Sequence, residues 1–208
     1  MNCGLTSRFV RFSVNEFCLV SELRYSSNDD TSRFEKSPSS LKEKYFNTLK
    51  AVTHEDVKDA FLAARDIPDE DVSRLAELYF ITSFLYPRDY KKVVEHFLFV
   101  LVEDFDEMNA FPWGKSLFDT LIGSLREGLS KRSSHYRLRG PLKVFQAWIC
   151  ETIPSLDGYV ARRISRSFPR IRNWTAEDHP SATKLEAPEC LSNLNVCTLT
   201  PSTLISRS

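Results

Sequence analysis

The spacing of apolar side chains between residues 41 and 153 constrains the fold more than any other feature. In several successive stretches they recur every three to four positions, as at Val93, Val94, Phe97, Leu98 and Leu101. This spacing places them on one face of an α-helix, and such a face is buried against another element. The sequence therefore predicts a mainly α fold, organised as a single globular helical domain.

Cap and turn residues divide this pattern into separate helices. Ser13 and Glu16 have the spacing at which each side chain satisfies a free backbone N–H of the other residue. Thr53 is a second candidate N-cap, and Glu55 and Asp56 in its first turn suit the helix dipole. Pro68 and Tyr86-Pro87 break the pattern. We predict helices over residues 13–23, 41–49, 53–64, 69–86, 90–108, 115–129 and 141–153, and a shorter arginine-rich helix over 158–168.

Three segments fall outside the helical pattern. The alternation from Phe9 to Phe12 predicts a short N-terminal strand. Residues 26–40 are rich in Ser and Asp and predict a loop. Residues 176–208 contain many Ser, Thr and Pro without periodicity, which is typical of a disordered tail. The predicted domain therefore spans residues 8–175.

Composition predicts a protein of the nucleus or the cytoplasm. No apolar run reaches the roughly 20 residues that span a bilayer, and the N-terminus lacks the pattern of a signal peptide. The five cysteines are odd in number, and no pair has the spacing of a metal site. We expect reduced, structural thiols and no membrane association.

The charge is unevenly distributed although the net charge is zero. Residues 53–112 contain 14 acidic and 6 basic residues, a balance of −8, and residues 113–176 contain 12 basic and 4 acidic residues, a balance of +8. A neutral chain does not predict general affinity for nucleic acid. The asymmetry allows a local basic surface.

Five arginines close to the C-terminal end of the domain are candidate binding residues: Arg162, Arg163, Arg166, Arg170 and Arg172. The predicted helix would place Arg162 and Arg166 on one face, with Phe168 and Trp174 as stacking groups. Arginine clusters bind phosphates with salt-sensitive affinity. The favoured alternative is a face that is solvated or docked on the acidic half of the same domain.

Two further groups of residues are candidates for a chemical site. On a continuous helix, Glu103 lies one turn from Asp106 and Glu107, so that three carboxylates could hold a divalent cation, or simply form a solvated helix end. Cys150 could be paired with His135 as nucleophile and base, but its apolar helical pattern favours a buried thiol. We therefore predict no catalytic residue, no metal and no cofactor.

Several blocks resemble the plant domain of unknown function 1985. Arg11-Phe12-Ser13 with Glu16-Phe17 and Leu19-Val20 is similar to its opening, and 75–85 to its next helix. Glu103-Asp104 with Pro112-Trp113-Gly114 resembles the central signature of the family. Gln146-Ala147-Trp148 with Glu151 and Pro154 resembles its last block, and Pro169-Arg170-Ile171 with Trp174 resembles its tail. Ser21-Glu22 and Pro141-Leu142 depart from the family pattern. The resemblance covers residues 8–175.

The resemblance implies a plant, transposon-derived reading frame, in a family whose members often precede a cysteine protease specific for SUMO-like modifiers. No sequence resembling that protease follows here, so its activity is not transferred. We expect structural roles for the shared residues Glu103, Asp104, Pro112, Trp113, Gly114, Trp148, Glu151 and Pro154.

Three hypotheses follow. The first is a non-catalytic protein-interaction domain with an unknown partner. The second is a nucleic-acid-binding module that uses the arginines of residues 162–172. The third is a truncated relic of a SUMO-protease-like protein.

Overall fold

The computed structural model describes residues 11–86, 92–130 and 140–175, together with Cys197 and Leu199. The chain divides into two compact units: unit 1 combines residues 1–23 with 142–208, and unit 2 is residues 24–141. The predicted domain boundaries at residues 8 and 175 stay predictions.

The described residues confirm a mainly α fold. They form nine α-helices: α1 Val14–Ser21, α2 Ser32–Glu35, α3 Ser40–Phe46, α4 His54–Leu62, α5 Asp69–Phe80, α6 His96–Leu101, α7 Phe105–Ala110, α8 Trp113–Ser130 and α9 Leu142–Thr152. A π-helical turn, Ile81–Leu85, extends α5, and 3₁₀ helices span Pro154–Leu156 and Arg170–Asn173. Strands β1 (Arg162–Arg163) and β2 (Trp174–Thr175) pair antiparallel. No helix in this part of the chain combines the length and apolar character of a membrane span.

Unit 1 is built on the contact between α1 and α9. Ser13 caps α1 as its spacing predicts, since its backbone N–H and hydroxyl both donate to the Glu16 carboxylate. Phe17 and Val20 are fully buried on one face of α1. The rings of Phe12 and Trp148 lie 4.6 Å apart between centroids. Aromatic burial therefore holds the two helices together.

Unit 2 contains the remaining helices, and their apolar stripes form its core. Thr53 caps α4 as the sequence predicts, and the structure adds a reciprocal hydrogen bond from Thr53 N–H to the Asp56 carboxylate. Helix α4 packs against α5, and α2 packs against α6. The fully buried side chains of this core include Leu41, Val57, Leu75, Leu78, Phe99, Leu101, Leu117 and Leu121.

The predicted helix over residues 90–108 is wrong. Residues 92–95 are extended because Val94 N–H donates to the Val52 carbonyl (2.8 Å) and His54 N–H donates to the Lys92 carbonyl (3.3 Å). After α6, the Asp104 side chain accepts hydrogen bonds from the N–H groups of Asp106 and Glu107 and starts a second helix, α7. An N-cap and a strand-like pairing therefore override the continuous periodicity.

Other expected boundaries also need correction. Part of the predicted loop 26–40 is the one-turn helix α2, where Phe34 is buried. Of the predicted N-terminal strand, Phe9 and Val10 lie outside the described residues, and Arg11 and Phe12 form no regular structure. The predicted tail 176–208 also lies outside them, apart from Cys197 and Leu199.

Candidate functional site

The predicted arginine-rich helix over residues 158–168 is wrong, and Arg162 and Arg166 share no helix face. Arg162 and Arg163 form β1, and residues 164–169 form an irregular turn. Asn173, only 2 % exposed, holds this turn: its Oδ1 accepts from Ser165 Oγ (2.6 Å) and from Ser167 N–H (2.9 Å). Its carbonyl accepts from Ile164 N–H at 2.8 Å. These bonds compete with those of a helix.

The turn forms one wall of a cavity of about 520 Å³ in unit 1, here named the arginine pocket. Its wall includes Arg163, Arg166, Phe168, Arg170, Asn173 and Trp174. Arg162 and Arg172 are exposed and do not line the pocket. The structure therefore brings together three of the five predicted arginines.

Glu151 also lines the pocket and binds two of its other residues. Its two carboxylate oxygens accept hydrogen bonds from the Arg163 guanidinium at 3.2 and 3.1 Å, and Oε1 also accepts from Trp174 Nε1 at 2.9 Å. The Arg163 guanidinium lies 4.3 Å from the centroid of the Trp174 ring. Paired bonds to a carboxylate and stacking on an indole make Arg163 a structural group.

Unlike Arg163, the side chains of Arg166 and Phe168 are exposed to solvent. Arg166 is exposed and makes no ion pair with the described part of the chain. Phe168 is 49 % exposed, and the Arg170 guanidinium lies 5.7 Å from its ring centroid. The pocket therefore offers a cationic group and an aromatic face to solvent. Sequence composition identified these residues, but their arrangement depends on Asn173, whose role in holding the turn no sequence pattern indicated.

Glu103 binds the start of α3, which lies about 60 positions earlier in the chain. The carboxylates of Glu103, Asp106 and Glu107 therefore do not converge on one point. Glu103 accepts hydrogen bonds from Ser39 Oγ (2.6 Å), Leu41 N–H (2.9 Å) and Ser40 Oγ (2.9 Å) at the start of α3. Partial burial raises its pKa, but these hydrogen bonds outweigh burial and lower the pKa below the ordinary value. The hypothesis of a cation site is thus wrong in its geometry. Among the described residues, no three His, Cys, Asp or Glu side chains are grouped as metal ligands.

The segment Pro112-Trp113-Gly114 is buried at the start of α8. Trp113 Nε1 donates to the Met108 carbonyl (2.9 Å), and Gly114 N–H donates to the Arg24 carbonyl (2.8 Å). The Trp113 ring meets the Phe111 ring edge-on at 4.7 Å. These contacts fix the approach of α7 to α8.

The remaining shared residues lie in unit 1. Trp148 is buried between Phe12 and Phe145, and Pro154 begins the 3₁₀ helix Pro154–Leu156 at the edge of the arginine pocket. Cys150 is buried in α9, where burial, with the nearby charges of Glu151 and Asp157, raises the pKa of its thiol to about 11. A thiol with that pKa is a poor nucleophile at neutral pH. His135 lies outside the described residues.

An exposed aromatic pair lies in unit 2. Phe80 ends α5 and Phe84 lies in the π-helical turn; they are 51 % and 63 % exposed, and their ring centroids are 5.4 Å apart. The opposite face of the same segment buries Leu75, Leu78 and Ile81. Apolar spacing alone did not identify either ring as exposed. The wider π turn changes the angular register and carries Phe84 outward.

Comparison with known proteins gives one match. The profile of the family described as "Domain of unknown function (DUF1985)" matches residues 2–124, more than half of the 208 residues. The match includes the block at Arg11-Phe12-Ser13 and the block at Pro112-Trp113-Gly114, and it ends before the arginine pocket. Neither the curated proteins nor the solved structures contain a match. The chain belongs to the family of the domain of unknown function DUF1985.

Proposed function

We propose that this chain is a non-catalytic protein-interaction domain, and that Phe80 and Phe84 are its contact surface. The observation that carries the proposal is the exposure of two adjacent aromatic rings on a helix whose other face belongs to the core. Aromatic side chains supply much of the binding energy of protein interfaces. An exposed pair of this kind marks an interaction site more often than a single exposed apolar residue.

The local backbone supports the same proposal. Thr82, inside the π turn, is buried, and its hydroxyl donates to the Leu78 carbonyl at 2.8 Å and contacts His54 Nδ1 at 2.9 Å. The turn that presents Phe84 is therefore held from its inner face. A rigidly held aromatic residue loses less conformational entropy on binding than a mobile one.

The wider context of the proposal comes from the family resemblance. We infer a plant, transposon-derived reading frame that acts in the nucleus or the cytoplasm. Membership of the family supports this inference, and the sequence of the surrounding genomic DNA tests it: transposon ends flanking the frame are expected. A frame in an ordinary single-copy gene without such ends would contradict it.

A quantitative pull-down with the full chain tests the interaction surface. We expect proteins captured by the wild type to be lost when Phe80→Ser and Phe84→Ser are combined, and a purified partner to bind the double variant at least tenfold more weakly, as for truncated aromatic contacts. Phe105→Ser is the matched control, because Phe105 is 49 % exposed on α7. Capture unchanged by the double variant would count against this surface.

The relic hypothesis rests on the family resemblance alone. It predicts cleavage of SUMO conjugates, whereas a non-catalytic domain predicts none. Incubation of the purified chain with a fluorogenic SUMO substrate distinguishes the two, and turnover abolished by Cys150→Ala would overturn the non-catalytic proposal.

The nucleic-acid hypothesis is supported by a separate observation. Arg166 and Arg170 line one pocket with the exposed Phe168, although they do so from a turn and not from a helix. This arrangement is in unit 1, outside the surface formed by Phe80 and Phe84.

A further inference from the structure

The turn that carries Arg166 is built as a rigid platform. The buried Asn173 side chain accepts hydrogen bonds from Ser165 Oγ, Ser167 N–H and Ser167 Oγ, and its backbone carbonyl holds Ile164. The pairing of β1 with β2 closes the base of the turn. A polar network whose hydrogen bonds are all satisfied internally fixes the backbone of the turn. The exposed side chains of the turn therefore project from fixed backbone positions.

The charged groups of the pocket have different roles. Glu151 neutralises Arg163 with paired hydrogen bonds. Asp157 Oδ1 accepts from Arg163 N–H at 2.9 Å, so that this carboxylate is directed toward the backbone of β1. Arg166 is exposed and has no ion-pair partner in the described residues, and Arg170 adds a second cation beside Phe168. The exposed groups Arg166 and Phe168 therefore give the pocket lining a cationic and an aromatic contact.

We propose that the arginine pocket binds single-stranded nucleic acid, with a phosphate against Arg166 and one base against the ring of Phe168. Binding of single strands combines cationic side chains along the backbone with aromatic rings that stack on bases. The inference deepens the nucleic-acid hypothesis and is independent of the surface formed by Phe80 and Phe84.

The shape of the site favours a single strand over a duplex. A cavity of about 520 Å³ falls within the range of roughly 300–1,000 Å³ that small organic ligands occupy, and a nucleotide unit is of that size. Reading the major groove of a duplex requires a helix or a β-ribbon that protrudes, whereas Arg166 and Phe168 lie on an irregular turn beside a concave wall. A base that is already unstacked reaches Phe168 without the cost of opening a pair.

Fluorescence anisotropy with a labelled 12-nucleotide single-stranded DNA tests the proposal. We expect Arg166→Gln and Phe168→Leu each to weaken binding about tenfold, in line with the loss of one phosphate contact or one stacked base. Arg166→Gln should also reduce the slope of log affinity against log salt by about 0.7, the value for one phosphate of a single strand. Circular dichroism establishes that each variant is folded.

The chain offers a matched control within the same segment. Arg172 is exposed but does not line the pocket, so Arg172→Gln should change affinity by less than about twofold. The double variant of Phe80 and Phe84 should bind the strand as the wild type does, which separates this inference from the interaction proposal.

Five results would overturn the inference, and the first four concern DNA binding itself. These are absence of binding, equal affinity for a duplex of the same sequence, an equal loss in Arg172→Gln, and affinity unchanged by Phe168→Leu. Displacement of the strand by a phosphopeptide at lower concentration than by unlabelled DNA would also overturn it, and would assign the pocket to a phosphorylated protein.

Discussion

Two glutamates organise their surroundings in different ways, Glu103 in unit 2 and Glu151 in unit 1. Glu103 accepts hydrogen bonds from two hydroxyls and one backbone N–H at the start of α3, all neutral donors. Glu151 accepts from the Arg163 guanidinium and from the Trp174 indole. The Glu103 carboxylate is the only charged group among its hydrogen-bond partners. Removal of the Glu151 carboxylate, by contrast, leaves the Arg163 guanidinium as an unpaired cation. The two sites should therefore respond differently to substitution.

The largest effect is expected at Glu103. Glu103→Ala removes the acceptor of three hydrogen bonds and leaves part-buried donors at the start of α3, so we expect a loss of about 3 kcal/mol in the free energy of unfolding. Urea denaturation measures the change. Asp106→Ala is the control, since Asp106 is exposed on α7, and its loss should stay below about 0.5 kcal/mol. Equal losses in both variants would contradict the role of Glu103.

Removal of Glu151 comes next. Glu151→Ala leaves the Arg163 guanidinium without its carboxylate and Trp174 Nε1 without its acceptor, and we expect a loss of about 2 kcal/mol. Adding Arg163→Met should restore part of this loss, because the unpaired cation is then absent. A double variant less stable than Glu151→Ala alone would show that the lone cation is not the cause.

The pH dependence of stability tests the role of Glu103 separately. Since its hydrogen bonds lower the pKa of Glu103 below the ordinary value of 4.5, its ionisation contributes stability above that pH, which is lost as the pH falls through the folded pKa. We expect Glu103→Gln to cost about 1.5 kcal/mol at pH 6. The cost should shrink as the pH falls through the folded pKa of Glu103, because the protonated wild-type group resembles glutamine. Urea midpoints from pH 6 downward measure the change. A constant difference would contradict the assignment.

The smallest effect is expected at Trp174. Trp174→Phe keeps an aromatic ring under the Arg163 guanidinium but removes the indole N–H that donates to Glu151, and we expect a loss of about 1 kcal/mol. In the Glu151→Gln background the loss should be smaller, because the acceptor has lost its charge. Thermal unfolding of the wild type, the two single variants and the double variant measures the coupling energy between Trp174 and Glu151. Additive losses would show that the two side chains do not interact.

Cap chemistry and periodicity made most helices predictable from the sequence. Ser13 and Glu16 form the reciprocal cap that their spacing indicates, and Thr53 caps α4 as predicted. The apolar stripe of residues 69–86 becomes α5 and its π-helical extension. These features depend on residues three to five positions apart, so the sequence contains the whole interaction.

The candidate sites were less predictable, because their decisive contacts join residues far apart in the chain. The acid-rich sequence at Glu103 allowed a cation site, but its hydrogen-bond partners on α3 lie 62–64 positions away. The arginine segment looked helical, yet Asn173 holds it as a turn through bonds that helical periodicity does not reveal.

The sequence by itself determined the mainly α class, the caps and the residues able to carry positive charge. Only the tertiary structure decided that Val94 pairs with Val52 as extended chain, that Glu103 holds the start of α3, and which arginines face the pocket. The physical reason is the range of the interactions. Helix propensity and capping act within one turn, whereas the choice between competing partners for a buried polar group depends on what the fold places beside it.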